Sequence, residues 1–392
     1  MEAIRSSSKD LALLIAFVLI ASLDSAFKYT GFAGLVVYSL GVSAFLFFYF
    51  TYVYHAIVGK VSLRTSIALA VVVTIGLCVL AFFLYELANS GRIGPGSDGD
   101  DALMLGAAEL IKGRYPFYPL TYLGNPIAPM PGAVILSLPF VLLGIYPLQA
   151  VFWLIVFFVT LAITTGNLRG TLFMALPILA VSPTIFQNIS AGTDHIPNSV
   201  YILVFSLLVI RAGRKESARW WEFAIPAVLL GVGLSSRSNF AFLVPMLVVL
   251  LWKLKGHRVA IGTGAVICGA AVAVTLPFWL YDPNGFTPLI VQTGKMEQFN
   301  EIIPQAGIVM AFAALLIALG LSARKKASTT SVFFQNLAFV QLFILIFTST
   351  LYSIWIGHFN LYFGHVGYGL FVMFFGVFAQ WSQISATRTG VD

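Results

Sequence analysis

Long apolar runs, separated by short polar segments, recur along this chain from its beginning to its end. Runs of about 17–25 apolar residues can cross the roughly 30 Å hydrocarbon core of a bilayer as helices. The pattern predicts twelve spans, at about residues 11–27, 32–57, 65–88, 148–165, 171–189, 197–211, 222–236, 239–253, 258–280, 305–323, 331–353 and 360–380. The predicted fold is therefore all-α, a polytopic transmembrane helical bundle.

The apolar segment 131–147 decides the topology of everything that follows it, because it is short and carries Pro139 in its middle. If this segment does not cross, most of the 22 Lys and Arg residues lie in loops on one side. Cytoplasmic loops of membrane proteins are enriched in Lys and Arg. We therefore interpret 131–147 as a juxtamembrane or re-entrant segment and expect both termini in the cytoplasm.

Three parts follow from this topology. Residues 1–88 form an N-terminal three-helix transmembrane segment, residues 89–147 an outer acidic loop with juxtamembrane helices, and residues 148–392 a transmembrane bundle that completes a cavity. The loops 89–130, 190–198, 281–304 and 353–360 are all expected on the outer face, where the acidic and histidine clusters of the chain meet.

Composition agrees with this class, since hydrophobic residues make up 59% of the chain and the mean hydropathy is +0.94. The net charge of +7 lies mostly in short loops between spans, so it indicates topology and not nucleic-acid binding. Cys78 and Cys268 lie inside apolar runs and are interpreted as packing residues. The expected location is the plasma (inner) membrane.

An acidic cluster interrupts this apolar pattern in the stretch GSDGDDALMLGAAELIKGRYPFYP, residues 96–119. Asp98, Asp100 and Asp101 precede a predicted helix from Ala102 to Lys112, whose positive N-terminal dipole favours negative charge. A Pro- and Tyr-rich stretch follows, and long ordered loops are usually functional. The alternative interpretation is a solvated loop without a function of its own.

The order of three motifs resembles the GT-C superfamily of integral membrane glycosyltransferases. The acidic loop, with Asp98 followed 15 residues later by Gly113, looks like the first outer loop of that family. The segment LLGVGLSSRSNFAFLVPMLVVLLW (229–252) is similar to the G-x-G-x-x-[ST]-[KR] motif of the lipid A aminoarabinose transferase branch, and LPFWLYDPNGF (276–286) looks like its P-F-x-x-x-D-P step. The acidic loop follows the third predicted span instead of the first, which implies two added N-terminal helices.

The resemblance implies a GT-C-like fold and a sugar transfer from a polyprenyl-phosphate carrier, which is a membrane lipid. The acceptor would be a glycan, lipid or protein that the sequence does not identify, and no nucleic acid is implied. Asp98 has the family spacing and is the expected general base, with Asp101 as the alternative. Asp100 and Asp101 are alternative ligands for a divalent cation, Mg or Mn, because clustered carboxylates suit hard cations.

Arg237 is the main candidate for donor phosphate binding, since an Arg near the membrane interior is costly unless it is paired or functional. Its guanidinium can hold phosphate oxygens in a bidentate way, whereas the alternative is a side chain that snorkels at a tight turn. Arg114 and Lys295 are weaker phosphate candidates. Asp194 and His195 lie where the family has a second acidic residue, which implies that they orient the acceptor or complete a metal site. Asp194 also suits a helix N-cap.

Four further side chains, Tyr118, Tyr122, His358 and His365, are candidates for lining the cavity. The tyrosines can stack on a sugar, or they can belong to the aromatic belt at the membrane interface. The histidines lie seven residues apart, about two helical turns, so they share one face and can be polar contacts inside the bundle.

Two other classes of protein remain open on the sequence. A secondary transporter or flippase of a lipid-linked sugar fits twelve spans, although no internal repeat relates the two halves of the chain. An O-antigen-type ligase or polymerase shares the polyprenyl-linked substrate but usually relies on Arg and His of an outer loop.

Overall fold

The computed structural model describes residues 2–90, 97–361 and 365–389, and these residues are helical apart from their loops and one isolated bridge between Leu120 and Pro126. The helices, in chain order, are α1 Glu2–Ile20, α2 Leu23–Phe48, α3 Tyr54–Val58, α4 Leu63–Asn89, α5 Gly99–Ile111, α6 Pro131–Leu142, α7 Gln149–Thr165, α8 Leu168–Val181, α9 Pro183–Ser190, α10 His195–Arg214, α11 Trp220–Leu234, α12 Leu243–Lys255, α13 His257–Tyr281, α14 Thr287–Glu297, α15 Ala306–Ala323, α16 Thr330–Ile356 and α17 His365–Thr389. A π-helical turn, Tyr49–Val53, joins α2 to α3.

Within the described residues, eight helices are long and apolar enough to cross a membrane, or up to nine if α8 and α9, which are bent by 81° at Ser182, form one broken span. The predicted all-α membrane bundle is thereby supported, but the count of twelve spans is not confirmed. The predicted span 11–27 contains the break between α1 and α2, and the predicted span 222–236 corresponds to α11, which has 15 residues.

Several helices expose large apolar side chains on the surface of the bundle, which requires a lipid environment. Large apolar side chains on α2, α4 and α15 are more than half exposed, among them Val37, Val72, Phe83 and Ile308. Exposed apolar patches of this extent are unusual in soluble proteins. The chain is therefore a multi-pass membrane protein.

The core surrounds α17, which packs against α1, α7, α10 and α16. Nearly every side chain of α17 from Leu370 to Trp381 is buried, as expected for a helix that is apolar on all sides. Gly376 allows Phe17 of α1 to approach, since a Cβ at this glycine would lie 2.3 Å from the Phe17 ring.

The segment 131–147 does not form a spanning helix. Its helix α6 has 12 residues, or about 18 Å at 1.5 Å per residue, which is too short for the hydrocarbon core. Gly132 brings α6 against the end of α11, where its N–H donates to the Ser235 carbonyl at 3.1 Å. The length of α6 agrees with the juxtamembrane or re-entrant interpretation.

The loops gather at two opposite ends of the bundle. At one end, called the basic end, the loops after α3, α7, α10, α12 and α15 contact one another: Arg169 donates to Val61 O (3.3 Å), Arg214 to Ser328 O (2.7 Å), and Lys255 to Glu216 O (3.0 Å). At the other end, called the cavity end, α5, α6 and α14 join the loops before α10 and α12. The 20 residues of α10 run about 30 Å from one end to the other.

Candidate functional site

A cavity of about 340 Å³ opens at the cavity end, between the N-terminus of α5, the loop 121–129, the start of α10, the turn before α12 and α14. Its size falls within the range of small-molecule sites. Five of the residues singled out in the sequence line it together: Asp98, Asp194, His195, Arg237 and Lys295. They come from four separate segments of the chain, so only the fold brings them into one place.

Asp98 lies at the N-cap position of α5, and the loop after this helix folds back to hold its carboxylate. Thr121 Oγ1 donates to Asp98 Oδ2 at 2.7 Å and Asn125 Nδ2 donates to the same oxygen at 2.8 Å. The loop is closed by the Thr121 N–H, which donates to Asn125 O at 2.9 Å. Among the described residues no donor reaches Asp98 Oδ1, and both hydrogen bonds go to Oδ2.

The other two carboxylates of the cluster have different partners. Asp100 is buried and accepts a hydrogen bond from Tyr85 OH of α4 at 2.7 Å, and removal from water raises the pKa of its carboxyl above the usual value. Asp101 accepts a hydrogen bond from the Tyr122 N–H at 2.7 Å. Neither lines the cavity; they fix α5 to α4 and to the loop after α5.

The positions of these carboxylates can be compared with the arrangement that a metal site needs. In the part of the chain that the structure describes, no group of three or more His, Cys, Asp or Glu side chains could hold one. Asp100 and Asp101 point to separate protein partners, and Asp98 is held by Thr121 and Asn125. Binding of Mg or Mn by Asp100 and Asp101 stays a prediction, since such a cation can also use carbonyl, water and substrate oxygens.

Two glycines allow the N-terminus of α5 to reach the loop before α10. A Cβ at Gly99 would lie 3.2 Å from the Thr193 side chain, and a Cβ at Gly192 would lie 2.9 Å from Tyr85 and 3.0 Å from Asp100. Gly192 also has φ +61°, a conformation that side-chain-bearing residues rarely adopt. This close approach places Asp98 beside Asp194.

Asp194 and Arg237 form an ion pair at the base of the cavity, with Arg237 Nη2 donating to Asp194 Oδ1. Asp194 is 5% and Arg237 29% exposed. Burial has the largest single effect and raises the pKa of Asp194, but the neighbouring charges, chiefly that of Arg237, and the hydrogen bonds from Arg237 and Asn198 together hold that pKa below the usual value. Asn198 Nδ2 donates to Asp194 Oδ2 at 2.8 Å, so both carboxylate oxygens are engaged within the protein.

Both oxygens of Asp194 thus have partners within the protein, and its predicted role at an acceptor site stays a prediction. Its backbone carbonyl accepts from the Asn198 N–H at 2.8 Å, as at the start of a helix, although its side chain does not cap α10. His195, the first residue of α10, contacts Asn188 Oδ1 through Nδ1 at 3.3 Å.

Lys295 approaches the cavity from α14, on the side of Arg237 and Asp98. Loss of contact with bulk water and the positive charge of Arg237 lower the pKa of its ammonium. The cavity wall thus carries two cations, Arg237 and Lys295, and two carboxylates, Asp98 and Asp194. Asp194 pairs with Arg237, so Lys295 is the cation whose charge is left to a ligand beside the Asp98 carboxylate.

The remaining candidates lie elsewhere. Arg114 is exposed and pairs with Glu109, whose pKa is lowered to about 2 by this hydrogen bond. Tyr118 packs on Tyr115 next to Asp282, and the Tyr122 side chain, which is 58% exposed, is not part of the cavity wall.

His358, near the C-terminus, is also apart from the site. His358 lines a separate cavity of about 480 Å³ at the end of α16. The side chain of His365 lies outside the described residues.

Sequence reasoning missed three polar residues that hold the site, Thr121, Asn125 and Asn198. Thr121 and Asn125 reach Asp98 only because the loop after α5 folds back, and Asn198 lies one turn along α10 from Asp194. The Pro-rich composition around Thr121 and Asn125 was the one available signal.

No family model, curated protein or solved structure matches this chain.

Proposed function

We propose that this chain is a membrane glycosyltransferase with a GT-C-like fold, which transfers a sugar from a polyprenyl-phosphate carrier to an acceptor. The observation that carries the proposal is the cavity at the cavity end, where the open oxygen of Asp98 shares about 340 Å³ with Arg237 and Lys295. Transfer from a lipid phosphate needs both a base and a binding site for an anion.

Asp98 acts as the general base in this proposal. The acceptor hydroxyl gives its proton to Asp98 Oδ1 while its oxygen bonds to the anomeric carbon of the sugar. The hydrogen bonds from Thr121 and Asn125 keep the carboxylate in a fixed orientation by holding Oδ2. A positioned base of this kind typically contributes about 10²–10⁴-fold to a rate.

The bond between the anomeric carbon and the phosphate oxygen breaks as the new bond forms, and its electron pair stays on the phosphate. Arg237 and Lys295 stabilise the negative charge that develops there, and fixed cations in a water-poor site are effective in this role. Asp194 holds Arg237 in position through the ion pair. Two side chains of this protein therefore stabilise the negative charge of the leaving group.

The distribution of charge supports an orientation. Loops at the basic end carry Arg169, Arg214, Lys215, Lys253 and Lys255, and such loops face the cytoplasm in membrane proteins. The cavity would then open on the outer face of the plasma membrane. The exposed apolar faces of the bundle would let the polyprenyl tail stay in the bilayer while its phosphate reaches Arg237.

The proposal is tested with membranes that contain the full chain at matched expression. Radiolabelled polyprenyl-phosphate sugars and a crude cell-envelope acceptor fraction are added, with and without a chelator, and the label is followed in donor and acceptor. We expect the label to move to the acceptor in a manner that requires the protein. If no donor is consumed but labelled lipid crosses the membrane of reconstituted vesicles, the chain is a transporter or flippase and the proposal is wrong.

A further inference from the structure

A second cavity lies at the basic end, between the last turn of α10 and the first turns of α11, with a volume of about 540 Å³. Its walls are mostly apolar, from Leu208, Ala212, Ile225 and Pro226. Leu208 is 37% and Ile225 56% exposed, so this groove opens on the outer surface of the bundle.

Charge and aromatic side chains surround the mouth of this groove. Lys215 forms an ion pair with Glu222 across the loop between the two helices, which closes one end. Arg211 also lines the groove, and among the described residues no acidic side chain or carbonyl pairs with it. Trp221 lies beside them, 43% exposed, in the position that tryptophan favours at a membrane interface.

We propose that this groove binds an anionic phospholipid from the leaflet at the basic end. The phosphate of the headgroup contacts Arg211, and one acyl chain lies along Leu208, Ala212 and Ile225. The occupant must be amphipathic because apolar walls lead to an unpaired cation at the rim. Basic pockets between membrane helices bind anionic lipid headgroups by the same combination. This proposal is independent of the chemistry at the cavity end.

The opposite side of α11 provides an internal comparison. A groove of about 320 Å³ between α11 and α13 is lined by Trp220, Phe223, Ala224, Ala227, Val259, Gly262, Thr263 and Val266. It is as apolar as the first but has no basic residue in its wall. We therefore assign selectivity for an anionic headgroup to the groove that contains Arg211.

The test uses the purified full chain in detergent, titrated with equal amounts of phosphatidylglycerol and phosphatidylcholine and measured by native mass spectrometry. We expect the wild-type protein to retain phosphatidylglycerol preferentially. Arg211→Gln should lower that retention roughly fivefold, the effect of one basic side chain near an anionic headgroup. The matched control is Arg64→Gln, which removes an exposed cation at the start of α4, at the same end of the bundle. It should leave retention unchanged.

A second variant changes the shape of the groove and leaves its charge as it is. Ile225→Trp fills the groove without changing any charge and should lower retention of phosphatidylglycerol while the protein stays monodisperse. Equal loss in Arg64→Gln, or equal retention of the two lipids by the wild-type protein, would overturn the proposal. Displacement of the lipid by inorganic phosphate alone would instead assign Arg211 to a free anion. Dimer formation that Ile225→Trp abolishes in lipid-free protein would assign the groove to a second copy of the chain.

Discussion

Arg237, in the turn before α12, donates a hydrogen bond to the carboxylate of Asp194 at the start of α10, and this ion pair forms the base of the cavity. The two residues are 43 positions apart in the sequence. Because Asp194 is almost fully buried, each partner depends on the other for a counter-charge. Breaking a buried ion pair from one side usually costs about 3–5 kcal/mol.

A double substitution can therefore separate the contribution of this ion pair to stability from the proposed role of Arg237 in the reaction. Arg237→Gln should lower the free energy of unfolding by about 3–5 kcal/mol, because it leaves the Asp194 carboxylate buried alone. Arg237→Gln combined with Asp194→Asn should recover most of that stability while sugar transfer stays lost, since the cation for the phosphate is still absent. Thermal unfolding in detergent and transfer rates check this; a stable double variant with wild-type transfer would contradict the role of Arg237.

Asn125 positions Asp98 and does not itself react. Asn125→Ala removes one of the two donors to Oδ2, and a hydrogen bond to a charged group contributes about 1.5–3 kcal/mol. We expect kcat to fall about tenfold or more with little change in KM for the donor lipid. Asn284→Ala is the control, because Asn284 is exposed in a turn at the same end of the bundle. A rise in KM with unchanged kcat would show that Asn125 binds donor instead.

Gly192 sets how closely α5 approaches α10. In Gly192→Ala the new methyl group would meet the Tyr85 ring and Asp100, at a φ that already disfavours alanine. Gly144→Ala shares the positive φ of +66° but has no atom within 4 Å of the new Cβ. Overpacking commonly costs about 1–3 kcal/mol, so Gly192→Ala should be destabilised by roughly that much more than Gly144→Ala in thermal unfolding. Equal losses of stability in the two variants would mean that α5 does not pack closely against Gly192.

In the proposed reaction, we expect Lys295 to set an alkaline limit to the rate of sugar transfer. An ammonium is charged only below its pKa, and the surroundings of Lys295 lower that pKa from the ordinary 10.5. Sugar transfer should therefore begin to fall at a lower pH than titration of an ordinary lysine would produce. In Lys295→Arg the cation persists at every accessible pH, so the fall should move to higher pH in a profile of rate against pH. An unchanged alkaline limb would exclude Lys295 as its origin.

The sequence was enough to predict a membrane protein and the positions of several helices, because long apolar runs are typical of helices that cross a bilayer. The helix after the acidic cluster was predicted at Ala102–Lys112 and is confirmed as Gly99–Ile111, ending before Gly113, which has φ +69°. The span count was less predictable. Hydropathy does not show that the chain breaks between α1 and α2, or that it bends by 81° at Ser182.

The candidate site, like the fold, could be predicted only in part from the sequence. Charge in an apolar context was enough to select Arg237, and the resemblance to family motifs selected Asp98 and Asp194. The sequence could not show that Asp98 lines the cavity while Asp100 contacts α4 and Asp101 contacts the loop after α5. Nor could it show that Arg114 is taken by Glu109.

The most direct measurement compares initial rates of sugar transfer for Asp98→Asn and Asp101→Asn, which remove the same charge three positions apart. Thermal unfolding confirms that both variants are folded. If Asp98 is the base, Asp98→Asn should lose about 10²–10⁴-fold in rate, whereas Asp101→Asn, which alters only an acceptor for the Tyr122 N–H, should stay within a few-fold of the wild type. Equal rates for the two variants, or a larger loss in Asp101→Asn, would contradict the assignment of Asp98 as the base.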